Sequence, residues 1–389
     1  MGRILHMMLA SFYIEGAGYQ ENLLSRYHKL MGLDVVIITN HNDWAKTPVS
    51  CEKRYVNNDG VKVIILPTKP NRFKNKRLNV ISNLLRKNYI GLYNCLEEIN
   101  PEIIFVHGCQ SFDNLEVVKY KHRHPEVKIF VDNHSDYYNT PVNTFRQKLI
   151  SKIVFRYVAK RLYAVCETFW GVTPWRVEYI RDVYGLPEEK TKLLVMGGDD
   201  TKIDFTQREA IRRRFRAKYD IGKDKKIVVT GGKIDITKNI HLLIKAVGSI
   251  ENVRLVVFGK PTDDFKSDYE ALLLKYPKVI NIGWVDSSQV YDYFLSSDLV
   301  VFPGTHSVLW EQAVACGVPM VVKKWDGMQH VNVGGNCKFI DDVTEENIKF
   351  QIVEIISDTS LYVTMKNVAE NQARRQFLYS NIAKRAIGE

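Results

Sequence analysis

Short apolar runs rich in β-branched residues alternate with longer stretches of helical character along the first half of the chain. The apolar runs predict strands at Ile4–Ala10, Val35–Thr39, Val61–Leu66, Ile103–Val106, Val127–Val131 and Phe169–Val172. The stretches between them predict helices that include Gln20–Met31, Leu78–Asn100 and Thr144–Ala164. Strands separated by helical crossovers are typical of a parallel sheet that is covered on both faces.

The second half of the chain repeats this pattern. Its apolar runs predict strands at Ile227–Thr230, Arg254–Phe258, Val279–Ile282, Leu299–Phe302 and Met320–Val322. At 389 residues the chain suits two α/β domains better than one core. We therefore expect two Rossmann-like domains that face a central cleft, with ligands at the carboxyl ends of the strands.

Composition narrows the class of protein. The chain is 45% hydrophobic and 25% charged, which is typical of a globular protein. No apolar run approaches the roughly 20 residues that span a bilayer, and the first strand lacks the length and cleavage site of a signal peptide. Six cysteines are scattered without metal-like pairing, as expected of free thiols in a reducing compartment. We expect a cytoplasmic protein.

The formal net charge of +11 is unevenly distributed along the chain, and one block is the most densely basic. Lys69–Arg77, continued by Arg86 and Lys87, contains no acidic residue, and Lys119–His124 and Arg146–Arg161 add further basic residues. Three interpretations remain open: an ordinary solvated face, attraction to anionic lipid headgroups, or nucleic acid, for which no recognition motif is present. An apolar face beside the block would favour a membrane surface, and its residues are Leu78, Val80, Ile81, Leu84 and Leu85.

The segment Lys226–Lys238 carries the first candidate chemistry. Its apolar run stops at the pair Gly231–Gly232, and Lys233 and Lys238 follow one and six places after the second glycine. A glycine turn that opens onto a helix presents unpaired N–H groups to an anion, and lysines beside it supply mobile positive charge. This pattern indicates a site for a nucleoside diphosphate.

A second segment, Val300–Val322, reads as a strand, a turn of small residues, a helix that carries Glu311, and another strand. Together the two segments resemble the donor half of the family 4 retaining glycosyltransferases, which have the GT-B fold and use sugar nucleotides. Gly232, Lys233 and Lys238 match the family's diphosphate-gripping run, with lysine in place of arginine and Asn239 in place of the closing glycine. The ordered landmarks that follow are a strand ending at Gly259, the turn Gly283–Trp284–Val285, and Asp298 before the next strand.

The resemblance implies that Glu311 binds the nucleotide ribose, because it matches the second of two glutamates in the family. The first glutamate would fall at Pro303, so the segment Gly304–Ser307 must take over its work. Thr305 or Ser307 is expected to cap the helix, and His306 to contact sugar or phosphate. With Val308, these residues complete the predicted donor site.

The resemblance also implies a role for two places in the first half. Gly16 and Gly18 form a turn after the first strand that would cross the cleft beneath the donor diphosphate. This turn lacks the third glycine of a dinucleotide fingerprint, so NAD binding is disfavoured. His134, directly after a strand, matches the histidine that touches the transferred sugar, and His107 could line the same pocket.

We therefore expect a retaining glycosyltransferase that uses a nucleotide-sugar, with a UDP-sugar favoured, and a glycan or lipid-linked acceptor. His134, Lys233 and Lys238 are the expected catalytic residues. No metal or other cofactor is expected, since cations and helix dipoles stabilise the diphosphate in GT-B transferases. The expected domains are residues 1–197 for the acceptor, 198–369 for the sugar nucleotide, and 370–389 as a helix that crosses back.

Three matters stay open at this point. A sugar-nucleotide 2-epimerase of GT-B type and a non-catalytic sugar-nucleotide-binding protein are the alternatives to a transferase. A role in surface polysaccharide assembly (capsule or lipopolysaccharide) is suggested by analogy alone. A lipid-carried acceptor would place the protein peripherally on the inner face of the membrane.

Overall fold

The computed structural model of the protein describes residues 2–10, 13–40, 50–75, 78–79, 82–83, 85–138, 149 and 151–389. The chain divides into two compact units. The N-terminal unit contains Met1–Val195 together with Ala383–Glu389, and the C-terminal unit contains Met196–Ile382.

The N-terminal unit is built on an eight-stranded sheet of order β3-β4-β2-β1-β5-β6-β7-β8. Its strands are β1 (Arg3–Met8), β2 (Asp34–Thr39), β3 (Lys53–Val56), β4 (Lys62–Ile65), β5 (Ile103–His107), β6 (Lys128–Asn133), β7 (Thr168–Gly171) and β8 (Thr191–Leu193). All neighbouring strands pair in parallel except β3 and β4, which are antiparallel. Its helices are α1 (Gln20–Leu30), α2 (Leu92–Ile99), α3 (Leu115–Arg123), α4 (Arg156–Val165) and α5 (Pro174–Asp182), with a 3₁₀ turn at Phe112–Asn114 and a π turn at Ser151–Phe155.

The C-terminal unit is built on a six-stranded parallel sheet of order β11-β10-β9-β12-β13-β14. Its strands are β9 (Lys226–Gly231), β10 (Val253–Phe258), β11 (Ile280–Gly283), β12 (Leu299–Phe302), β13 (Met320–Lys323) and β14 (Cys337–Ile340). Its helices are α6 (Arg208–Lys218), α7 (Ile240–Gly248), α8 (Lys266–Lys275), α9 (Val290–Ser296), α10 (Leu309–Ala315), α11 (Glu345–Ser357), α12 (Thr359–Val368) and α13 (Arg374–Gln376). Short turns lie at Phe205–Gln207, Ile236–Lys238, Gln329–Val331 and Ala369–Ala373, and the last helix, α14 (Tyr379–Ala386), runs from this unit into the N-terminal one.

Burial explains why the parallel strands were visible in the sequence. Five of the six residues of β1 and five of the six residues of β2 are buried. A strand covered on both faces must be apolar on both, so it reads as a continuous apolar run. Helices pack against each sheet, and the two expected Rossmann-like units are confirmed.

The structure corrects several boundaries. The predicted helix Leu78–Asn100 is wrong over residues 85–91, because Tyr89 pairs with Thr68 in an isolated bridge and Gly91 takes a φ of 78° directly before α2. Of the predicted helix Thr144–Ala164, residues 144–148 and 150 lie outside the described residues, and the π turn Ser151–Phe155 directly precedes α4. Three strands were missed, namely β3, β8 and β14, each of which is short and carries charged residues.

Candidate functional site

A cavity of about 900 Å³ lies at the carboxyl ends of β9, β10 and β11 in the C-terminal unit. Five of the residues predicted to bind the donor line it: Gly232, Lys233, Gly259, Trp284 and Val285. The other lining residues are Phe258, Lys260, Pro261, Thr262, Asp263, Asp264, Ser287, Val290 and Leu309. These residues therefore meet at the carboxyl-end edge of the sheet, which is where ligands bind in open parallel sheets.

Two glycines allow neighbouring backbone segments to approach each other closely at this edge. A Cβ atom on Gly259 would lie 1.8 Å from the carbonyl oxygen of Gly232, and Gly259 has a φ of 128°. The N–H of Gly232 donates to the carbonyl of Phe258 at 3.0 Å, and the N–H of Gly259 donates to that of Gly283 at 2.7 Å. Only glycine fits this approach, so both residues shape the floor of the cavity through their lack of a side chain.

The two predicted phosphate lysines occupy different environments. The side chain of Lys233 is 66% exposed, and its Nζ lies 3.4 Å from Oδ2 of Asp235. Lys238 Nζ instead donates to the carbonyl oxygens of Thr305 at 2.7 Å and His306 at 3.3 Å. Burial lowers the pKa of Lys238, an effect that Asp235 opposes. Lys233 thus belongs to the cavity wall, whereas Lys238 ties two loops together.

The segment Pro303–Ser307 is held against the turn that carries Lys238. The N–H of Thr305 donates to the carbonyl of Thr237 at 3.2 Å, and Asn239 Nδ2 donates to the carbonyl of Pro303 at 3.0 Å. A Cβ on Gly304 would lie 2.3 Å from the Cα of Lys238, so this position also needs glycine. Asn239, which replaces the family's glycine, adopts a φ of 54° and supplies this tie through its side chain.

The predicted capping of α10 is wrong. The helix begins at Leu309, and the residue at its N-cap position is Val308, which makes no side-chain capping bond. Ser307 contributes its backbone carbonyl, which accepts from the N–H of Trp310 at 3.0 Å. Ser307 and Thr305 therefore lie one or more residues too early for their hydroxyls to occupy the cap.

Glu311 lies in a buried cluster with two histidines. Its Oε1 accepts from Nε2 of His306 at 2.8 Å and from Nε2 of His330 at 2.9 Å, and its side chain is fully buried. Burial alone would raise the pKa of Glu311, but the two imidazoles outweigh it and hold that pKa well below its usual range. Oε2 has no hydrogen-bond partner within the described part of the chain. Glu311 is thus close to the cavity residue Leu309 in sequence but does not line the cavity.

His330 was not predicted. It lies in the turn Gln329–Val331, and no local motif marks it. The ligand-type atoms of His306, Glu311 and His330 lie within 4.8 Å of one another, a set that could hold a metal ion. Both imidazole nitrogens lie at hydrogen-bond distance from one carboxylate oxygen, so two N–H protons satisfy this arrangement without an ion.

In the N-terminal unit, His134 follows β6 and is 31% exposed. Its Nε2 lies 3.4 Å from Oδ2 of Asp132 and 4.0 Å from Oε1 of Glu21. Burial tends to lower the pKa of His134, but the two carboxylates raise it overall. His107, suggested as a pocket residue, is buried instead, and its Nδ1 lies 2.9 Å from the same Asp132 oxygen.

The glycine turn before α1 is open. Gly16 has a φ of 76°, and a Cβ on Gly16 or Gly18 would meet nothing within 4 Å. Both residues are exposed. These two glycines and His134 belong to the N-terminal unit, and the cavity residues, Lys238 and Glu311 belong to the C-terminal one.

The basic block is partly engaged in local contacts. Lys69 Nζ donates to the carbonyl of Lys87 at 2.9 Å, Arg86 donates to the carbonyl of Pro70 at 2.8 Å, and Lys87 pairs with Glu116 at 2.8 Å. Arg72 and Lys74 are exposed. Five other residues of the predicted block and apolar face lie outside the described residues: Lys76, Arg77, Val80, Ile81 and Leu84.

Comparison with known families gives a match within the C-terminal unit. Residues 211–372 match the family described as "Glycosyl transferases group 1", and this range includes the whole cavity lining. The donor half of the chain is therefore similar to a glycosyltransferase family, which agrees with the landmarks found in its sequence.

Two relatives extend the likeness. An uncharacterized glycosyltransferase of Methanocaldococcus jannaschii is 24% identical over 218 residues, which are 54% of this chain and 56% of that protein. Mannosylfructose-phosphate synthase of Agrobacterium fabrum is 22% identical over 244 residues, 58% of this chain and 53% of that protein. The chain spans about half the length of the curated relatives it matches.

Solved structures resemble the whole chain. HepE of Anabaena in complex with UDP superposes with a TM-score of 0.70 at 15% identity over 98% of both chains. UDP-GlcNAc 2-epimerase of Neisseria meningitidis superposes with a TM-score of 0.60 at 14% identity over 98% of this chain and 97% of that one. These likenesses confirm the GT-B type of fold. Among the described helices, none is both long and apolar enough to cross a membrane.

Proposed function

We propose that the protein transfers a sugar from a nucleotide-sugar to a glycan or lipid-linked acceptor with retention of configuration, and that the preferred donor is a UDP-sugar. The observation that carries this proposal is the cavity in the C-terminal unit, where a glycine floor and Lys233 meet at the carboxyl ends of three strands. HepE, whose fold is similar, has been solved with UDP and with UDP-glucose. The aromatic Trp284, 73% exposed at the cavity, offers a face for a nucleobase.

In the proposed reaction the acceptor hydroxyl attacks the anomeric carbon on the face that the diphosphate leaves. The bond from that carbon to the phosphate oxygen breaks, and a donor phosphate oxygen takes the hydroxyl proton. Lys233 then stabilises the charge of the released nucleoside diphosphate. An ammonium group has three donors, and Lys238 uses two on carbonyl oxygens, so one remains for a phosphate oxygen.

Glu311 and His134 complete the proposal. The unpartnered Oε2 of Glu311 would accept a ribose hydroxyl, which would satisfy a buried acceptor. His134 would contact the transferred sugar, and the turn Gly16–Gly18 would admit the donor diphosphate because neither of its glycines carries a side chain. In these terms residues 1–197 bind the acceptor, 198–369 bind the donor, and 370–389 cross back.

We further propose that the reaction needs no metal ion, since lysines supply the positive charge. Equal transfer rates with excess chelator and with added Mg²⁺ or Mn²⁺ are expected. A rate that collapses in chelator and recovers with one metal would contradict this part of the proposal.

The cellular role follows from the acceptor. A lipid-linked acceptor would lie at a membrane surface, and the acid-free basic block could bind the anionic lipids there. We therefore propose a role in the assembly of a membrane-bound glycan, such as capsule or lipopolysaccharide. We place the protein in the cytoplasm, bound peripherally to the inner face of the membrane.

The epimerase is kept as the second candidate because a UDP-GlcNAc 2-epimerase shares the fold. An epimerase would convert one UDP-sugar into another without releasing UDP, whereas a transferase releases UDP by transfer or slow hydrolysis. A binding protein would do neither.

The experiment is a thermal-shift panel of UDP, GDP, dTDP and ADP with their sugars, followed by UDP-release and sugar-analysis assays on the tightest binder. A ligand that binds only the native state raises its stability, by about 2.7 kcal/mol at a hundredfold excess over Kd. We expect uridine compounds to stabilise the protein and UDP to be released. Stabilisation without release or isomerisation would identify a binding protein.

A further inference from the structure

A continuous line of buried polar side chains crosses the N-terminal sheet. It begins at the backbone carbonyl of Ala383 in α14 and runs through His28 of α1, His6 of β1 and His107 of β5 to the carboxylate of Asp132 in β6. All four side chains are 0–1% exposed. We call this line the histidine chain.

The geometry of the histidine chain is regular. The carbonyl oxygen of Ala383 lies 2.9 Å from His28 Nε2, and His28 Nδ1 lies 2.9 Å from His6 Nε2. His6 Nδ1 lies 2.9 Å from His107 Nε2, and His107 Nδ1 lies 2.9 Å from Asp132 Oδ2. Every ring nitrogen of the three histidines therefore takes part in a contact of hydrogen-bond length.

Counting protons shows that neutral histidines cannot make these contacts. Each of the four contacts needs one proton, the carbonyl and the carboxylate at the two ends supply none, and three neutral imidazoles supply three. One contact would then place two lone pairs 2.9 Å apart in a buried site, which is strongly unfavourable. A fourth proton removes the conflict, and with it the histidines and the carboxylate together carry no net charge.

The surroundings place that proton beside Asp132. Burial lowers the pKa of His28 to about 4 and lowers the pKa of His6 well below its usual range, so neither ring holds positive charge. Burial would raise the pKa of Asp132, but His107 and His134 hold it below its usual range. The fourth proton is thus assigned to the contact between His107 Nδ1 and Asp132 Oδ2.

The elements packed around this end add few other charges. Helix α1 brings Glu21 to 4.0 Å from His134 Nε2. Helix α5 carries Arg176, whose charge lowers the pKa of His134 and which forms an ion pair with Asp136 at 3.1 Å. On β5, Phe105 stacks against the ring of His6 at a centroid distance of 5.6 Å and lies tilted 4.8 Å from the ring of His107.

We propose that the histidine chain holds one proton more than three neutral imidazoles supply, and that through Asp132 it positions His134. Asp132 Oδ2 accepts from Nδ1 of His107 at 2.9 Å and lies 3.4 Å from Nε2 of His134 as an ion-pair contact. The negative charge of this oxygen favours a proton on Nε2 of His134, and so influences the hydrogen-bonding role of its Nδ1 toward a substrate. The positioning part rests on the proposed function, whereas the proton count does not.

The substitution Asp132→Asn tests both parts because the amide can satisfy the chain without the fourth proton. Asn Nδ2 would donate to His107 Nδ1, three neutral imidazoles would then make the other three contacts, and Oδ1 would still accept from the N–H of Gly108, now at 3.2 Å. His134 Nε2 would meet an amide donor in place of a carboxylate acceptor. The variant should fold, lose the extra proton and lose the orientation of His134.

The first measurement is nitrogen-15 NMR of the histidine rings in the labelled full-length protein. It is made near pH 8.5, about two units above the ordinary histidine pKa of about 6.5. We expect one imidazolium with two protonated ring nitrogens in the wild type, retained in His134→Gln and in the exposed-site control His122→Gln, and absent in Asp132→Asn. A wild type without such a ring, or a signal that disappears in His134→Gln, would overturn the proton count, and the wild-type spectrum alone decides even if a variant fails to fold.

The second measurement is the pH profile of transfer or donor hydrolysis. Asp132→Asn should lower turnover at least about tenfold with UDP affinity unchanged, and should move the limb set by His134 to lower pH because a carboxylate that raises its pKa is gone. Wild-type turnover and an unshifted profile in Asp132→Asn would overturn the positioning role. If the wild type itself shows no transfer, the proposed function fails while the NMR result still decides the proton count.

Discussion

Asp132 in the N-terminal unit and Glu311 in the C-terminal unit are both buried carboxylates whose pKa two imidazoles hold low, yet they are built differently. Asp132 uses both oxygens, since Oδ1 accepts from Gly108 N–H and Oδ2 accepts from histidine. Glu311 places both imidazoles on Oε1, and its Oε2 has no partner within the described residues. Asp132 is therefore a completed part of the fold, whereas Glu311 has one buried acceptor that the proposed ribose contact would satisfy.

The largest effect expected from this comparison is on stability. Glu311→Ala removes a charged acceptor from two buried N–H groups and should lower the free energy of unfolding by roughly 3–5 kcal/mol. Urea denaturation measures this loss. The exposed-site control Glu346→Ala should change it by less than about 1 kcal/mol. A loss as small as that of the control would mean that His306 and His330 do not depend on Glu311.

The next effect separates the two lysines of the donor site. Lys233→Ala and Lys238→Ala should each lower turnover on the order of 100-fold, because each removes a charge that meets the leaving diphosphate. Only Lys238→Ala should also lower Tm, since it loses the bonds to the carbonyls of Thr305 and His306. The exposed-site control is Lys223→Ala. Wild-type turnover and UDP affinity in both variants would refute the phosphate assignment.

A milder change, Glu311→Gln, sharpens the contrast with Asp132. The amide keeps Oε1 but buries an NH₂ group where Oε2 has no partner, so a stability loss of about 1–3 kcal/mol at neutral pH is expected. The folded pKa of Glu311 is depressed, so its contribution is present above the unfolded pKa of about 4.3 and is lost as the pH falls through that value toward the folded pKa. Wild-type stability should decline with acid there, and the variant's decline should be shallower. Parallel curves would contradict the depressed pKa.

The same variant tests the ribose role. If Oε2 of Glu311 accepts a ribose hydroxyl, Glu311→Gln should weaken binding of UDP more than that of 2′-deoxy-UDP, by about 1.5–3 kcal/mol in difference. Isothermal titration calorimetry measures both. Equal losses of affinity for the two nucleotides would mean that Glu311, like Asp132, has a structural role and does not bind the ribose.

The smallest effect concerns the surface of the N-terminal unit. Each basic residue near an anionic membrane contributes about 1 kcal/mol. Reversal of Lys74, Lys76 and Arg77 to glutamate should abolish pelleting with anionic vesicles and leave UDP binding intact. High salt should release the wild type, because the Debye length falls from about 10 Å at 0.1 M to about 3 Å at 1 M. Equal binding to neutral vesicles would make the block an ordinary solvated face.

The sequence predicts those parts of the molecule that local pattern determines. Buried parallel strands appear in the sequence as apolar runs, and the glycine pair before Lys233 marks the turn that forms the floor of the cavity. Contacts between distant segments leave no such mark. His28 and His107 are far apart in the chain, and only the strand order β2-β1-β5-β6 aligns His6, His107 and Asp132. His330 reaches Glu311 for the same reason, through tertiary packing alone.

The errors have local causes as well. Helical character alone predicted a single helix over Leu78–Asn100, but Gly91 and the Tyr89 bridge interrupt it. The helix cap was expected at Thr305 or Ser307 because a hydroxyl suits that role, yet α10 begins at Leu309 and its N-cap residue is Val308.

The edge strand β3 has a consequence for the behaviour of the protein in solution. It is antiparallel to β4, half of its four residues are Lys53 and Arg54, and Arg54 forms an ion pair with Glu98. An exposed strand edge invites another chain to pair with it, and charged side chains oppose that pairing. The charges that concealed β3 from the hydrophobic pattern therefore protect the open side of the sheet against edge-to-edge aggregation.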